Sequence, residues 1–189
     1  MTFTKRLLAA SLAAAIIPLS ACSSEPGTQA NSVTDDNLAG LLSRASDITL
    51  VARTLSDTEL APVFDGVGNY TIFAPEDAAF EGMEGVQENL SSAENRPAVV
   101  AMLRGHIVPG YMTLETIKTA LSGDTKSIEM ATMDGGILTF SRDGEDIVAT
   151  SADGKSARLS GTSMEAANGV AIPIDGLLKD LAVLDAPAA

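Results

Sequence analysis

Apolar residues recur at helical spacing soon after residue 33, with polar residues between them. The first stripe predicts an amphipathic helix and consists of Leu38, Leu41, Leu42 and Ala45. Thr34 precedes it and has the short hydroxyl side chain of an N-cap residue. A second helix is predicted between Ser46, as its cap, and Pro62, which no helix interior accepts. Its apolar side consists of Leu50, Val51, Thr54 and Leu55.

A strand and a third helix follow in the pattern. Residues Tyr70 to Ala74 have the β-branched and aromatic composition of a strand, and Pro75 ends it because proline has no amide donor. Asp77 is expected to cap the short turn that carries Phe80. The residues from Glu94 to Arg104 predict another helix, which a glycine ends.

Regular turn signals dominate the later part of the chain. Asp-Gly pairs suit tight hairpins because glycine accepts positive φ, and three of them alternate with short apolar runs. The pairs are Asp134-Gly135, Asp143-Gly144 and Asp153-Gly154. This alternation predicts an antiparallel meander. Helices followed by strands indicate an α+β domain.

Three apolar segments in a fixed order carry a family resemblance: Tyr70 to Phe80, His106 to Gly110 and Asn168 to Leu178. Together they resemble the fasciclin-like domain, a secreted or surface-bound adhesion module. The resemblance implies one domain over residues 35–185, with N-terminal helices packed against a mainly antiparallel sheet, or β-wedge, and a C-terminal tail over residues 186–189. It leaves the ligand open, because a fold does not fix a function.

The beginning of the chain has the pattern of a bacterial signal peptide. Lys5 and Arg6 precede an uncharged run from Leu7 to Leu19, which is shorter than the roughly 20 residues of a membrane-spanning helix. The sequence Leu19-Ser-Ala-Cys22 resembles the lipoprotein processing site, where the cysteine is lipidated and becomes the first residue after cleavage. We therefore predict a signal peptide over residues 1–21. An ordinary secretory peptide with an incidental cysteine is the alternative.

Lipidation of Cys22 would make the protein an exported, membrane-anchored lipoprotein. Residues 22–34 are mostly small and polar and predict a lipidated, flexible tether. Ser23 after the cysteine resembles the outer-membrane pattern of bacteria that have two membranes. We expect the outer membrane as the location if the cell has one.

The net charge of the chain limits which classes of partner it can bind. It contains 25 acidic and 12 basic residues and has a formal net charge of −13 at pH 7. Loss of Lys5 and Arg6 with the signal peptide would make it more negative still. Such a surface repels phosphate backbones and anionic headgroups. We therefore expect no nucleic-acid partner, and membrane contact through the lipid.

His106 is the only histidine, so acid–base or metal chemistry would have to depend on it. It has no second histidine or free thiol to work with, and hydrogen bonding to the backbone is the expected role. We predict no catalytic residue, metal or cofactor. In the fasciclin family a tyrosine often precedes this histidine and flanking residues have been linked to adhesion; here Gly105 stands in its place. The resemblance makes His106, Ile107 and Asp175, an aspartate of the closing segment, the candidate binding residues.

These features predict a non-enzymatic adhesion or interaction module at the cell envelope. The expected partner is an envelope or extracellular protein, or a matrix polymer. The alternative is a carrier that binds a carotenoid or another apolar molecule, as some fasciclin-like proteins do. Methionines could line an adaptable groove for such a ligand, although core filling is the preferred interpretation. They are Met83, Met102, Met112, Met130, Met133 and Met164.

Overall fold

The computed structural model describes residues 37–58, 60–66 and 68–181. The predicted signal peptide, Cys22, the predicted tether and the predicted tail lie outside these residues. The helices are α1 (Leu38–Leu42), α2 (Thr49–Ser56), α3 (Val86–Ser91), α4 (Arg96–Gly105) and α5 (Leu114–Ala120), with 3-10 helices at Ala61–Asp65 and Asp77–Phe80. The strands are β1 (Tyr70–Pro75), β2 (Ile107–Pro109), β3 (Ser127–Ala131), β4 (Ile137–Asp143), β5 (Asp146–Ser151), β6 (Ser156–Arg158), β7 (Met164–Ala166) and β8 (Gly169–Ile174).

The strands of the described residues form two four-stranded sheets. Sheet A has the order β2-β1-β8-β7, and sheet B has the order β3-β4-β5-β6. Strands β1 and β8 pair in parallel, whereas the other pairs are antiparallel. A bridge between Leu159 and Ile174 connects the two sheets. The predicted α+β class with a mainly antiparallel sheet is confirmed.

The core has two parts, one on each face of sheet A. Successive side chains of a strand point to opposite faces, so Ile72 and Ala74 pack with the helices while Phe73 packs toward sheet B. The ring centroids of Phe73 and Phe140 lie 4.9 Å apart, and both residues are fully buried. Sheet A therefore lies between a helical layer and sheet B.

The predicted meander is confirmed in β4, β5 and β6, which follow one another as neighbours in sheet B. The turn after β4 contains Gly144 at φ 66°, and the turn after β5 contains Gly154 at φ 78°. Both values lie in the left-handed region that glycine tolerates. The Asp-Gly signal thus identified the turns correctly.

The helices lie close to their predicted positions, but their N-cap residues differ from those predicted. Helix α4 begins two residues later than expected, at Arg96, and ends at Gly105. Helix α1 begins at Leu38, where the side chain of Asn37 accepts a hydrogen bond from the amide of Gly40 at 2.8 Å. The predicted cap, Thr34, lies outside the described residues.

The predicted roles of Ser46 and Asp77 are wrong. The hydroxyl of Ser46 donates to Asp47, at 3.0 Å, and does not cap α2. Asp77 caps α2 instead of its own turn: its carboxylate accepts from the amides of Thr49 at 3.1 Å and Leu50 at 2.9 Å. The end of β1 lies beside the start of α2, so this carboxylate reaches the unpaired amides of the first helical turn.

Candidate functional site

His106 follows the last residue of α4 and precedes β2, and it is 3% exposed. Its Nε2 lies 3.0 Å from the amide nitrogen of Leu178, and its Nδ1 lies 2.9 Å from the carbonyl oxygen of Met102. An amide can only donate, so Nε2 accepts and the proton resides on Nδ1, which donates to Met102. The neutral ring therefore joins α4 to the segment after β8, through the backbone hydrogen bonding that the sequence predicts.

The surroundings keep this ring neutral. Burial lowers the pKa of His106 below its usual value of 6.5 and outweighs the hydrogen bond to Met102, which raises it. The charge of Lys179 lowers the pKa further, while Asp134 acts in the opposite direction. A buried ring with both nitrogens bonded to the backbone has no proton to exchange with a bound substrate.

Burial also limits what His106 and Ile107 can contact. Ile107 is 1% exposed and belongs to the core on the helical side of sheet A. It occupies the first position of β2, opposite Ile72 of β1. These two candidate binding residues therefore offer no surface to a partner in this conformation.

Gly105, at the position where fasciclin-like domains often have tyrosine, touches the side chain of Lys179. A Cβ atom at Gly105 would lie 2.7 Å from Cε and 2.9 Å from Cγ of Lys179. The ammonium of this lysine pairs with Asp134 at 3.1 Å and with Asp153 at 3.0 Å. Lys179 thus occupies the space next to Gly105, and a larger residue there would require the lysine side chain to shift.

Asp175, the third candidate, is exposed and bonded to its neighbouring strand. Its Oδ1 accepts from the amide of Arg158 at 2.6 Å, and its own amide donates to the carbonyl of Arg158 at 3.0 Å. These bonds fix the end of β8 against β6. The structure therefore assigns Asp175 to one backbone junction and His106 to another.

An open groove of about 640 Å³ lies between α2, the 3-10 helix Asp77–Phe80 and α3, and we call it the α2–α3 groove. Its apolar lining comes from Leu50, Phe80, Val86 and Met83. Phe80 is only 6% exposed, whereas Met83 is 40% exposed at the mouth. Met83 therefore departs from the predicted core-filling role, which Met102 at 7% exposure does fit.

Two glycines set the position of Met83. Gly82 and Gly85 have φ values of 80° and 69°, which favour glycine, and open space surrounds the position of a Cβ at either one. The chain turns at both residues, between Phe80 and α3. This turn holds the thioether of Met83 at the surface, beside the apolar lining of the groove.

Carboxylates predominate around the α2–α3 groove. Glu81 and Glu88 line it together with Arg53, and an adjoining depression along α2 includes Asp57. The sequence contains no lysine or arginine from residue 54 to residue 95. The walls of the groove therefore carry a negative charge that one arginine only partly balances.

Asp77 also lines the groove, but its carboxylate is occupied by the α2 cap. Partial burial raises the pKa of Asp77, yet the hydrogen bonds from Thr49 and Leu50 outweigh burial and bring it below 3.8. Asp77 is therefore ionised at neutral pH and positions the start of α2. We assign it to the scaffold of the groove.

The apolar cavity beside His106 is too small for a carried ligand. It measures about 10 Å³ and is lined by residues that include Ile72, Phe80, Met102 and Leu177. Pockets that bind drug-sized ligands measure roughly 300–1,000 Å³. This part of the core therefore gives no support to the carotenoid-carrier alternative.

The aspartates of the hairpin turns are used in ion pairs with basic side chains. Asp143 lies 3.1 Å from Arg158, and Asp153 lies 3.0 Å from Lys179. Within residues 37–58, 60–66 and 68–181, no group of three or more His, Cys, Asp or Glu side chains is arranged to hold a metal ion. In the same ranges no helix has the length and apolar character needed to cross a bilayer.

Residues 46–180 match the family model of the Fasciclin domain. The chain belongs to the fasciclin family. Protein sll1483 from Synechocystis sp. is 30% identical to this fasciclin chain over 132 residues, which is 69% of the chain and 65% of sll1483. The fasciclin chain thus spans about 65% of the length of that relative.

The solved FAS1 domain pair from the insect cell adhesion molecule Fasciclin I has the same fold. Its TM-score with the present fasciclin chain is 0.65 at 15% sequence identity, and the match covers 78% of this chain and 52% of that one. At this identity the likeness concerns the fold. Fasciclin domains are generally non-enzymatic and are commonly adhesion modules, and this chain is a fasciclin-type module.

The sequence did not reveal the α2–α3 groove. Met83 has the same apolar character as Met102, and no spacing rule separated the exposed methionine from the buried one. A signal was nevertheless present, because Glu81 and Glu84 flank Met83 within a segment free of basic residues. A lone apolar residue between carboxylates and glycines indicates an exposed turn.

Proposed function

We propose that this fasciclin protein is an exported lipoprotein that acts as a non-enzymatic adhesion module at the cell envelope. Lipidated Cys22 holds it on a membrane, the outer one where the cell has two, and residues 22–34 link the lipid to the domain. The domain then contacts an envelope or extracellular protein, or a matrix polymer. Location comes from the lipid and recognition from the folded surface.

The observation that supports this proposal is the arrangement of the two ends of β1. The described chain enters at Leu38, whose amide donates to Oδ1 of Asn168 at 2.7 Å, and the amide of Tyr70 donates to the carbonyl of Asn168 at 3.3 Å. The α2–α3 groove begins at Asp77, just beyond the other end of β1 at Pro75. At about 3.3 Å per residue the strand spans roughly 17 Å. A tether from Cys22 would therefore join the domain near the Tyr70 end of β1, about one strand length from the start of the groove.

The chemistry of the one histidine supports the non-enzymatic part of the proposal. His106 is buried, and both ring nitrogens are hydrogen bonded to backbone groups. General acid–base catalysis needs a side chain within hydrogen-bond reach of the substrate. His106 serves the scaffold and is not available for that role.

Cell attachment tests the proposed function. Cells that make the full chain, cells that make Cys22→Ala and cells that make neither are exposed to flow over a surface coated with envelope and matrix protein. We expect stronger retention of the first cells alone, because only they display an anchored module. Equal retention of all three would contradict an adhesive role. A stoichiometric apolar molecule in mass spectra of the natively purified protein would favour the carrier instead.

A further inference from the structure

We propose that the α2–α3 groove binds a cationic peptide segment of the partner protein, with one apolar side chain of that segment inserted beside Met83. This inference rests on the proposed function, because it assigns a partner chemistry to the adhesion module. The expected ligand is a peptide that has lysine or arginine on both sides of an apolar residue.

The apolar part of the groove has the volume and the apolar side chains needed to bind one inserted side chain. The groove of about 640 Å³ has Leu50 and Val86 half-buried along its sides and the ring of Phe80 at its base. Met83 adds a flexible, polarizable thioether that adapts to different side-chain shapes. Of the described residues, Met83 and Ile137 are the large apolar side chains that stand exposed, and only Met83 borders this groove.

Charge complementarity selects the rest of the peptide. Glu81 and Glu88 line the groove, and Arg53 is the basic side chain that lines it with them. Asp57 lies along α2 in the adjoining depression, where Arg96 donates to its backbone carbonyl at 3.0 Å, so the acidic rim is centred on Glu81 and Glu88. Complementary potentials steer a partner toward its site and suppress partners of the same sign. A peptide with several positive charges fits this rim, whereas an acidic or neutral peptide does not.

The same charge argument disfavours occupants from this chain itself. A second copy has 25 acidic against 12 basic residues, so its surface repels the rim of the groove. The residues after 181 contain one aspartate and no lysine or arginine, and they lack the required charge as well. The groove therefore fits a different protein.

Fluorescence anisotropy with a synthetic probe tests the inference on the full chain in detergent. The probe is a short fluorescein-labelled peptide in which lysines flank one central leucine. Two altered probes serve as controls, one with alanine in place of leucine and one with glutamate in place of each lysine. We expect binding of the first probe, weaker binding of the alanine probe and no binding of the glutamate probe.

Two variants and two matched controls locate the binding. Met83→Ser is expected to weaken binding of the probe by about tenfold, because it removes the apolar contact at the mouth of the groove. The double variant Glu81→Gln with Glu88→Gln is expected to weaken binding of the probe by about three- to tenfold and to make that binding less dependent on salt. Ile137→Ser and Glu129→Gln remove an exposed apolar and an exposed acidic residue elsewhere, on β4 and β3, and should change binding less than twofold.

Three results would overturn the inference: absence of probe binding, equal binding of the glutamate probe, or an equal loss of binding in the Ile137→Ser control. Self-association that Met83→Ser abolishes, without probe binding, would assign the groove to a second copy instead. The flow experiment with Met83→Ser cells separates the two proposals. If Met83→Ser abolishes both probe binding and cell retention, the result supports the adhesion proposal and the groove proposal together. If it abolishes probe binding but the cells are fully retained, the protein is adhesive but does not use the groove for adhesion.

Discussion

At the scale of single residues, His106 fits its site only as a neutral imidazole, because Nε2 accepts the amide proton of Leu178. Burial lowers the pKa of His106 below 6.5, so the unfolded chain binds this proton more readily than the folded one. The stability contributed by the neutral ring is therefore expected to be complete above pH 6.5 and to be lost as the pH falls from there toward the folded-state pKa. Urea unfolding between about pH 7.5 and 5.5 measures this loss, which one proton limits to about 1.4 kcal/mol per pH unit.

His106→Gln is the matched comparison, since an amide side chain accepts and donates hydrogen bonds but does not titrate. We expect the variant to be less stable at neutral pH and to depend less on pH in this window. Asp77 and Asp134 do not interfere, because hydrogen bonds outweigh burial and lower the pKa of each below 3.8. The same pH dependence in parent and variant would show that His106 is not the titrating group.

At the scale of elements, Asp77 connects the end of β1 to the start of α2. Replacement by alanine leaves the amides of Thr49 and Leu50 without their acceptor, and the loss of an N-cap costs about 0.5–2 kcal/mol. We expect Asp77→Ala to lower the midpoint of thermal unfolding by about 2–4 °C for each kcal/mol lost. Glu84→Ala, an exposed acid of the neighbouring turn, should leave the midpoint unchanged. Equal shifts in the two variants would mean that the general loss of negative charge, and not the cap, is responsible.

The caps also mark the limit of local prediction. The apolar stripes of α1, α2 and α4 and the Asp-Gly turns are encoded by neighbouring residues, so the sequence predicts where these elements lie. The cap of α2 comes from a residue 28 positions away along the chain, and nothing next to Thr49 indicates it. Ser46 has the hydroxyl side chain of a typical N-cap residue, but this hydroxyl bonds to Asp47 and not to the first turn of α2.

At the scale of the whole molecule, contacts between distant segments decide what the sequence could not predict. The parallel pairing of β1 with β8 brings Tyr70 beside Gly169 and Pro75 beside Ile174, across most of the domain. The family resemblance implied a mainly antiparallel sheet, and neither it nor any local pattern predicted this parallel pair. The α2–α3 groove likewise joins helices that β1 separates in the chain, so the exposure of Met83 depends on tertiary packing.

Attachment of the whole molecule is expected to depend on Cys22. Each buried methylene contributes about 0.8 kcal/mol, so the two or three acyl chains of a lipoprotein hold firmly where a single myristoyl chain binds only marginally. The net charge of −13 gives no attraction to anionic headgroups, so we expect high salt to leave the parent protein in the membrane fraction and detergent to release it.

Fractionation of cells that make the full chain, Cys22→Ala or Ser23→Ala measures this attachment. Cys22→Ala is expected in the soluble fraction because it has no thiol to acylate, whereas Ser23→Ala keeps the thiol and should stay with the membrane. A salt wash that removes the parent protein would point to charge rather than lipid as the link. Cys22→Ala bound as firmly as the parent would require a different anchor and would rule out the lipoprotein proposal.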